Sequence, residues 1–114
     1  MDQVCLVLPV RPGKSEAARD FLGDLDRDRR GDYDVSERRI GISKEAWFIA
    51  PGSTGQQLVG YMESADFAKA LGMFVESKDP FDQWFKERLL DATGFDLNQM
   101  PTGPMPELIS SYAV

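Results

Sequence analysis

The chain has no histidine and only one cysteine, Cys5, among its 114 residues. Without histidine, a Ser-His-Asp triad, a Cys-His pair and a histidine general base are all excluded. Too few imidazole and thiolate ligands are present for ordinary zinc, copper or haem sites, so we expect no cofactor and no metal. A lone cysteine cannot form an intrachain disulfide, which is typical of a reducing compartment. We interpret Cys5 as a small buried hydrophobe.

Basic residues and long apolar runs are also scarce. Nineteen acidic residues against 13 basic ones give a net charge of −6, and the basic residues are interleaved with acids. This balance argues against nucleic acid or an anionic membrane surface as a partner. No run approaches the roughly 20 apolar residues of a membrane helix, and the first residues have no basic leader segment. There is no GxGxxG, Walker or calcium-loop motif. We expect a cytoplasmic protein.

What the chain does contain is strand sequence that is apolar on both faces. The runs 4–10 (VCLVLPV), 46–50 (AWFIA) and 58–62 (LVGYM) have almost no polar residue to turn toward water. A strand with one exposed face should alternate apolar and polar residues. Because these strands lack that alternation, both faces of the sheet are expected to be buried. The length fits one domain over residues 1–114.

The first helical region is long and ambiguous. A helical spacing of three and four continues through Leu22, Leu25, Arg29, Tyr33, Ser36 and Ile40, although residues 24–34 are dense in charge. Gly41 suits the left-handed residue that ends a helix. We predict one long helix, kinked near Gly31; two helices separated at Gly31 are the alternative. The acids of residues 20–34 are interpreted as a solvated face with pairs such as Asp26 with Arg30.

The remaining elements follow in order. Residues 45–50 and 56–62 predict a hairpin around the turn at 51–55, and Gly60 predicts a bulge or a close approach by another group. Helices are predicted after Ser64 and after Asp79-Pro80. Residues 107–114 predict a last short strand.

This order predicts an α+β fold of the ferredoxin-like βαββαβ type, an antiparallel sheet with its helices on one face. The helices cover only that face. We therefore expect a homodimer in which the open sheet face meets a second copy.

The element order also resembles the dimeric α/β-barrel superfamily, in which two ferredoxin-like domains pair sheet to sheet. Three segments resemble a small uncharacterised family within it: Arg39–Ile42 leading into Glu45–Phe48, Asp79–Phe85, and Gly94–Leu97. The superfamily includes cofactor-independent monooxygenases, haem-degrading enzymes, mutarotases, isomerases and regulatory proteins. Its haem-degrading and mutarotase members typically rely on a histidine, which this chain lacks.

Two functions follow from these patterns. The first is a small-molecule-binding homodimer with an aromatic cleft, which as an enzyme would be a cofactor-independent monooxygenase or isomerase. The second is a non-catalytic structural or interaction dimer with its aromatic residues in the core. A ligand site in this fold is expected between sheet and helices. The candidate ligand-binding residues are Arg11, Trp47, Tyr61 and Trp84, and Glu45 is a candidate base if it is buried.

Overall fold

The computed structural model describes all residues from 1 to 114 and is an α+β fold with three strands and four helices. The elements follow one another as β1 (Asp2–Pro9), α1 (Ser15–Asp24), α2 (Arg30–Ile40), β2 (Ile42–Pro51), β3 (Gln56–Ser64), α3 (Phe67–Glu76) and α4 (Pro80–Thr93).

The strands form one antiparallel sheet in the order β1-β3-β2. Because β3 is antiparallel to both neighbours, β1 and β2 run parallel to each other with β3 between them. This is a split β-α-β arrangement, in which α1 and α2 connect the two parallel strands. The predicted hairpin is present, since β2 and β3 are joined by a short turn.

The two faces of the sheet are covered differently, as the predicted placement of the helices on one face requires. One face packs against all four helices through two clusters of buried side chains, which contain Leu8 and Leu58 in the first and Leu6 and Met62 in the second. The opposite face has no helix on it. Two apolar rows cross its centre, Val7–Val59–Phe48 and Cys5–Tyr61–Ala46. Cys5 is half-buried on this open face rather than a member of the core.

A bulge in β2 determines which of its residues face the helices. Ile42 pairs with Ser64 and Lys44 with the next residue of β3, so one extra residue of β2 lies between them. The extra residue changes the alternation of the strand. As a result Ile42 and also Glu45, Trp47 and Ile49 point toward the helices.

Gly60 confirms the close approach that the sequence predicts. It pairs with Trp47 across the β2–β3 ladder. A Cβ atom at Gly60 would lie only 2.7 Å from Cζ3 of the Trp47 ring. Any side chain here would displace the indole, so the glycine makes room for Trp47 inside the fold.

The single long helix was wrong, and the alternative of two helices is correct with a different boundary. Residues 25–29 form turns between α1 and α2, while Gly31 lies inside the first turn of α2. Leu25 is buried, but residues 26–32 contain no apolar side chain that could hold a continuous helix against the sheet. The predicted Asp26–Arg30 ion pair forms, with 3.1 Å between Oδ1 and Nη1.

The predicted last strand is absent. Residues 107–114 are exposed and make no strand pairing, so the fourth strand of a ferredoxin-like sheet is missing. Leu108 and Ile109 are adjacent, and an extended backbone would point them to opposite sides. Two serines follow them. Neither side of this segment therefore carries a continuous apolar row that a sheet edge could bury.

The helix ends largely follow the predicted signals. Gly41 and Gly94 end α2 and α4 in the left-handed conformation, with φ of 92° and 79°. Asp79 caps α4 through its side chain, 3.0 Å from the Phe81 nitrogen. The cap of α3 is Asp66 rather than Ser64, whose hydroxyl instead accepts a hydrogen bond from the Asp66 nitrogen.

Candidate functional site

A small, partly open cavity lies between the covered face of the sheet and helices α2, α3 and α4. Its volume is about 50 Å³. Most of its wall is apolar, and four side chains bring polar atoms to it: Tyr33, Glu37, Glu45 and Trp47. The apolar wall is made of Leu6, Ile40, Ile42, Met62, Phe67, Ala70, Leu71, Phe74, Phe81, Phe85 and Leu97.

The four polar side chains come from two neighbouring elements. Tyr33 and Glu37 are one helical turn apart on α2, so they share the face that also carries Ile40. Glu45 and Trp47 are two residues apart on β2 and therefore point to the same side of the sheet. Since α2 leads directly into β2 through Gly41, the two pairs meet.

Glu45 is the acceptor at the centre of this group. The Tyr33 hydroxyl and the Trp47 indole Nε1–H both donate to its Oε2, the latter at 3.0 Å. The Glu37 carboxyl lies close enough to Glu45 for each group to affect the pKa of the other. Glu37 Oε2 is buried and has no hydrogen-bond partner. The donors thus favour the charged form of Glu45, and Glu37 has none that would favour its own.

The environment keeps Glu37 protonated. Burial, then the charge of Glu45 and the hydrogen bond to it, then the charge of Asp82, raise the pKa of Glu37 to about 9. Burial also raises the pKa of Glu45, while its hydrogen bonds with Tyr33, Trp47 and Glu37 act in the opposite direction. The pKa of Tyr33 is raised, first by burial and then by the Glu45 charge. Because the pKa of both carboxyl groups is raised, the pair holds at least one proton at neutral pH.

A carboxylic acid beside a carboxylate at a cavity wall has two chemical uses. It can transfer its proton to or from a bound molecule, as general acids and bases do. It can also release the proton when another positive charge takes its place. Both uses need a ligand that reaches the pair, and neither needs a cofactor.

Two surface grooves reach the same residues from outside. One, of about 400 Å³, is lined by Tyr33, Glu37 and Glu45 with polar residues of α2 and β2. The other, of about 430 Å³, is lined by Tyr33, Glu45 and Trp47 with residues of α1 and β2. Tyr33 and Glu45 line both grooves and the cavity. They therefore separate the cavity from the surface at the β2 edge of the sheet.

A second buried polar group lies behind this site and holds the helices together. Asp82 is fully buried and accepts hydrogen bonds from Ser36 at 2.5 Å, from Ser77 at 2.5 Å and from Arg39. It joins α2 to α4 and to the end of α3. All of its donors come from the protein itself, so Asp82 has a structural explanation.

Lys86, also fully buried, has a structural explanation too. Its Nζ donates to the carbonyl oxygens of Phe74, Val75 and Ser77 at 2.7 to 3.1 Å, at the end of α3. Burial lowers its pKa. A positive charge at this position suits the negative end of the helix dipole.

Comparisons with protein-family models, curated proteins and solved structures found no match for this chain. The site must therefore be interpreted from its own chemistry. No group of three or more cysteine or acidic side chains is placed to hold a metal ion. None of the helices has the length and apolar character needed to cross a membrane.

The structure separates the four candidate residues of the sequence analysis. Trp47 lines the cavity, but Tyr61 is on the open face, where its hydroxyl donates to Glu63 Oε2 at 2.7 Å. The expectation that these two share a cleft is not met, because Tyr61 pairs with Ala46 rather than Trp47 and so points to the other side. The hydrogen bond to Glu63 raises the pKa of Tyr61.

Arg11 and Trp84 lie elsewhere. The Arg11 guanidinium packs beside Gly94 at the end of α4, and its backbone N–H donates to the Ala92 carbonyl at 2.8 Å. Trp84 packs edge to face against Phe21 and at a tilt against Phe81, and the Arg29 guanidinium lies 4.4 Å from its ring centre. Neither residue lines the cavity. Their contacts are those of structural packing.

Sequence reasoning missed Tyr33 and Glu37 and left Glu45 undecided. Glu37 lies beyond the charged face predicted for residues 20–34, and its spacing from Tyr33 and Ile40 puts it on the apolar side of α2. Glu45 shares the alternation of Trp47 and Ile49, which face the helices. One signal in the sequence could have indicated this pair. Glu37 occupies an inward position of a helix, and Glu45 occupies an inward position of the next strand.

Proposed function

We propose that this protein binds a small, largely apolar molecule in the cavity between sheet and helices, with the Glu37–Glu45 pair as its polar contact. The observation that carries the proposal is the pair itself: two carboxyl groups with raised pKa values at the wall of an aromatic cavity. Perturbed titratable groups that converge on an apolar cavity are typical of binding and active sites. Proton transfer of the isomerase type is the catalytic use that these residues would support.

The proposed assembly is a homodimer of ferredoxin-like subunits joined through the open sheet face, as in a dimeric α/β barrel. Phe48 is 59% exposed and Val7 is 43% exposed on that face. A central apolar patch with polar residues at its ends is typical of a protein interface. Sedimentation should give a mass near twice 12.8 kDa. Phe48→Glu should give a folded monomer, and a wild-type monomer would contradict the assembly.

Binding can be tested through the two tryptophans, because only Trp47 lines the cavity. In a ¹H–¹⁵N NMR spectrum the indole N–H of Trp47 should shift when small branched alcohols, ketones, acids or amines are added. The indole of Trp84 should stay in place and serves as an internal reference. A panel in which no compound moves the Trp47 signal selectively would contradict the proposal.

A matched pair of variants tests whether a shift of the Trp47 indole signal reports binding in the cavity. Ala70 lines the cavity and Ala18 does not, yet both are helical and at most 1% exposed. Ala70→Val should fill part of the space and weaken ligand binding. Ala18→Val adds the same two methyl groups to the core on the other side and should leave binding unchanged. Equal binding losses in the two variants would indicate a general effect of overpacking.

The alternative is a structural dimer without a ligand, and one observation favours it. The cavity is small, and Phe74 and Phe85 pack edge to face at 5.8 Å beside it, as in an ordinary core. Under this alternative the Ala70→Val variant would become more stable, since it fills unused space, and no compound would bind. Ligand binding that Ala70→Val abolishes decides against it.

A further inference from the structure

We infer that the ligand of this cavity is a small apolar amine, bound as its ammonium ion by Glu37 and Glu45. The inference rests on the proposed function and names the ligand class of the same site. It follows from the charges at the cavity wall, the hydrogen bonds already formed there, and the size of the space.

The cavity wall carries acids but no cation. Glu37 and Glu45 are its only ionisable groups besides Tyr33, and none of its lining residues is lysine or arginine. The buried Lys86 and the exposed Arg39 have other partners. Lys86 donates to three backbone carbonyls, and Arg39 contacts Asp79 and Asp82. A negative charge inside an apolar wall is costly without a positive partner, and the ligand has to supply that partner.

The hydrogen bonds at the wall point to the same ligand class. Besides the protonated carboxyl of Glu37, the only neutral donors are Tyr33 and Trp47, and both already donate to Glu45. Glu37 Oε2 is a buried acceptor without a donor. An ammonium group offers several N–H donors and a positive charge at once. An anion would be repelled by the pair, and the one donor left for a neutral acceptor would be the proton on Glu37.

The proton on Glu37 takes the place that we assign to the ammonium ion. Burial first, then the interactions with Glu45 and the charge of Asp82, raise the pKa of Glu37 and so favour that proton. No titratable side chain reaches the cavity from α3, whose lining residues are Phe67, Ala70, Leu71 and Phe74. When the ammonium ion binds, Glu37 should release its proton to solvent, so that positive charge is exchanged and not added.

The cavity volume and the grooves limit the size and path of the ligand. A space of about 50 Å³ corresponds to roughly four water-sized groups. This matches a short branched alkyl chain with its head group. The groove over α2 has Arg30, Arg38 and Lys44 at its rim, and the two arginines are paired with Asp26 and Asp34. The groove between α1 and β2 is lined by the acids Asp26 and Glu45. Its one arginine, Arg19, is paired with Glu16.

Three compounds with one carbon skeleton test the inference: isobutylamine, isobutanol and isovalerate. They differ only in carrying an ammonium, a hydroxyl or a carboxylate group. Each is titrated against the ¹⁵N-labelled protein, and the Trp47 and Trp84 indole signals are followed. We expect isobutylamine to shift the Trp47 signal with the highest affinity. Because one proton is released, its affinity should rise about tenfold from about pH 7 to about pH 8.

Variants separate the carboxyl pair from the cavity. Glu37→Gln, which is nearly isosteric, should weaken isobutylamine at least tenfold and remove the pH dependence, since no proton remains to exchange. Glu87→Gln, at an exposed position of α4, is the matched control and should bind as the wild type does.

The outcomes distinguish this inference from the proposed function. Selective binding of isobutanol or isovalerate in preference to the amine would overturn the amine inference and keep a small-molecule site. Amine affinity that is independent of pH, or unchanged in Glu37→Gln, would also overturn it. If no compound of this series or of the wider panel moves the Trp47 signal, both proposals fail.

Discussion

The protonated state of Glu37 predicts an unusual dependence of stability on pH. The pKa of Glu37 is about 9 in the folded protein against an ordinary value of 4.5. The folded state therefore binds more protons than the unfolded state between these two values. For a group with a raised pKa, the stabilising contribution is complete below the lower value and is lost as the pH rises toward the higher one. Glu37 should thus make the protein less stable from about pH 4.5 to about pH 9.

The size of the effect follows from the same shift. Each pH unit within this window lowers the free energy of unfolding by at most about 1.4 kcal/mol for one proton. From about pH 5 to about pH 8 the upper limit is about 4 kcal/mol, and incomplete burial of Glu37 reduces it to about 2 to 4 kcal/mol. Glu37→Gln removes the titration but keeps an amide that can donate to Glu45. We expect it to match the wild type near pH 5 within about 1 kcal/mol and to exceed it near pH 8.

Urea unfolding of both proteins across this pH range measures the difference directly. The protein concentration must be the same throughout, because dimerisation would make apparent stability depend on it. Glu87→Gln again provides the control, since this exposed acid changes the net charge by the same amount. Parallel pH profiles for wild type and Glu37→Gln would refute the reasoning, because they would show that Glu37 is ionised in the folded protein at neutral pH.

Two further substitutions test the packing. Gly60→Ala should cost about 1 to 3 kcal/mol in urea unfolding, because its Cβ would overlap the Trp47 ring; Gly72→Ala in α3, with no atom within 4 Å of its Cβ, should be neutral or stabilising. Removal of residues 100–114 should change the free energy of unfolding by less than about 0.5 kcal/mol, since this segment is almost entirely exposed. A large loss on truncation would instead support the fourth strand that the sequence predicted.

Local chemistry explains which parts of the fold could be predicted from the sequence. The hairpin, the ends of α2 and α4 and the start of α4 depend on residues close together in the chain, such as Gly41 and the Asp79-Pro80 pair. The sheet face that carries no helix could also be predicted to be apolar, because the lack of alternating polar residues is a local pattern in each strand. The last strand was not predictable in this way. Strand pairing of residues 107–114 depends on a distant edge, and composition alone does not show whether pairing occurs.

The candidate site was harder to predict because its residues come from a strand and a helix. Which residues of each element point inward depends on how the elements are placed in three dimensions. The bulge near Ser43 determines that Glu45 points inward with Trp47, and no signal in the sequence marks that bulge. The turns at residues 25–29 orient α2, and with it Tyr33 and Glu37. Aromatic residues were chosen as candidates because they are typical of ligand sites, yet Trp84 and Tyr61 have packing partners outside the cavity.

Glu37 differs from the buried Asp82 and Lys86 because its buried Oε2 has no hydrogen-bond partner. Asp82 joins two helices and Lys86 caps a third, and the protein supplies all their partners. Glu45 likewise accepts from Tyr33 and Trp47, but Glu37 is placed beside it as a second acid with no donor of its own, and its raised pKa reflects that cost. A glutamine at position 37 could donate to Glu45 without this cost. Costly buried groups that the fold does not need are expected at functional sites, where a ligand completes their interactions. This contrast is why the cavity, and not the Asp82 group, is the site to test.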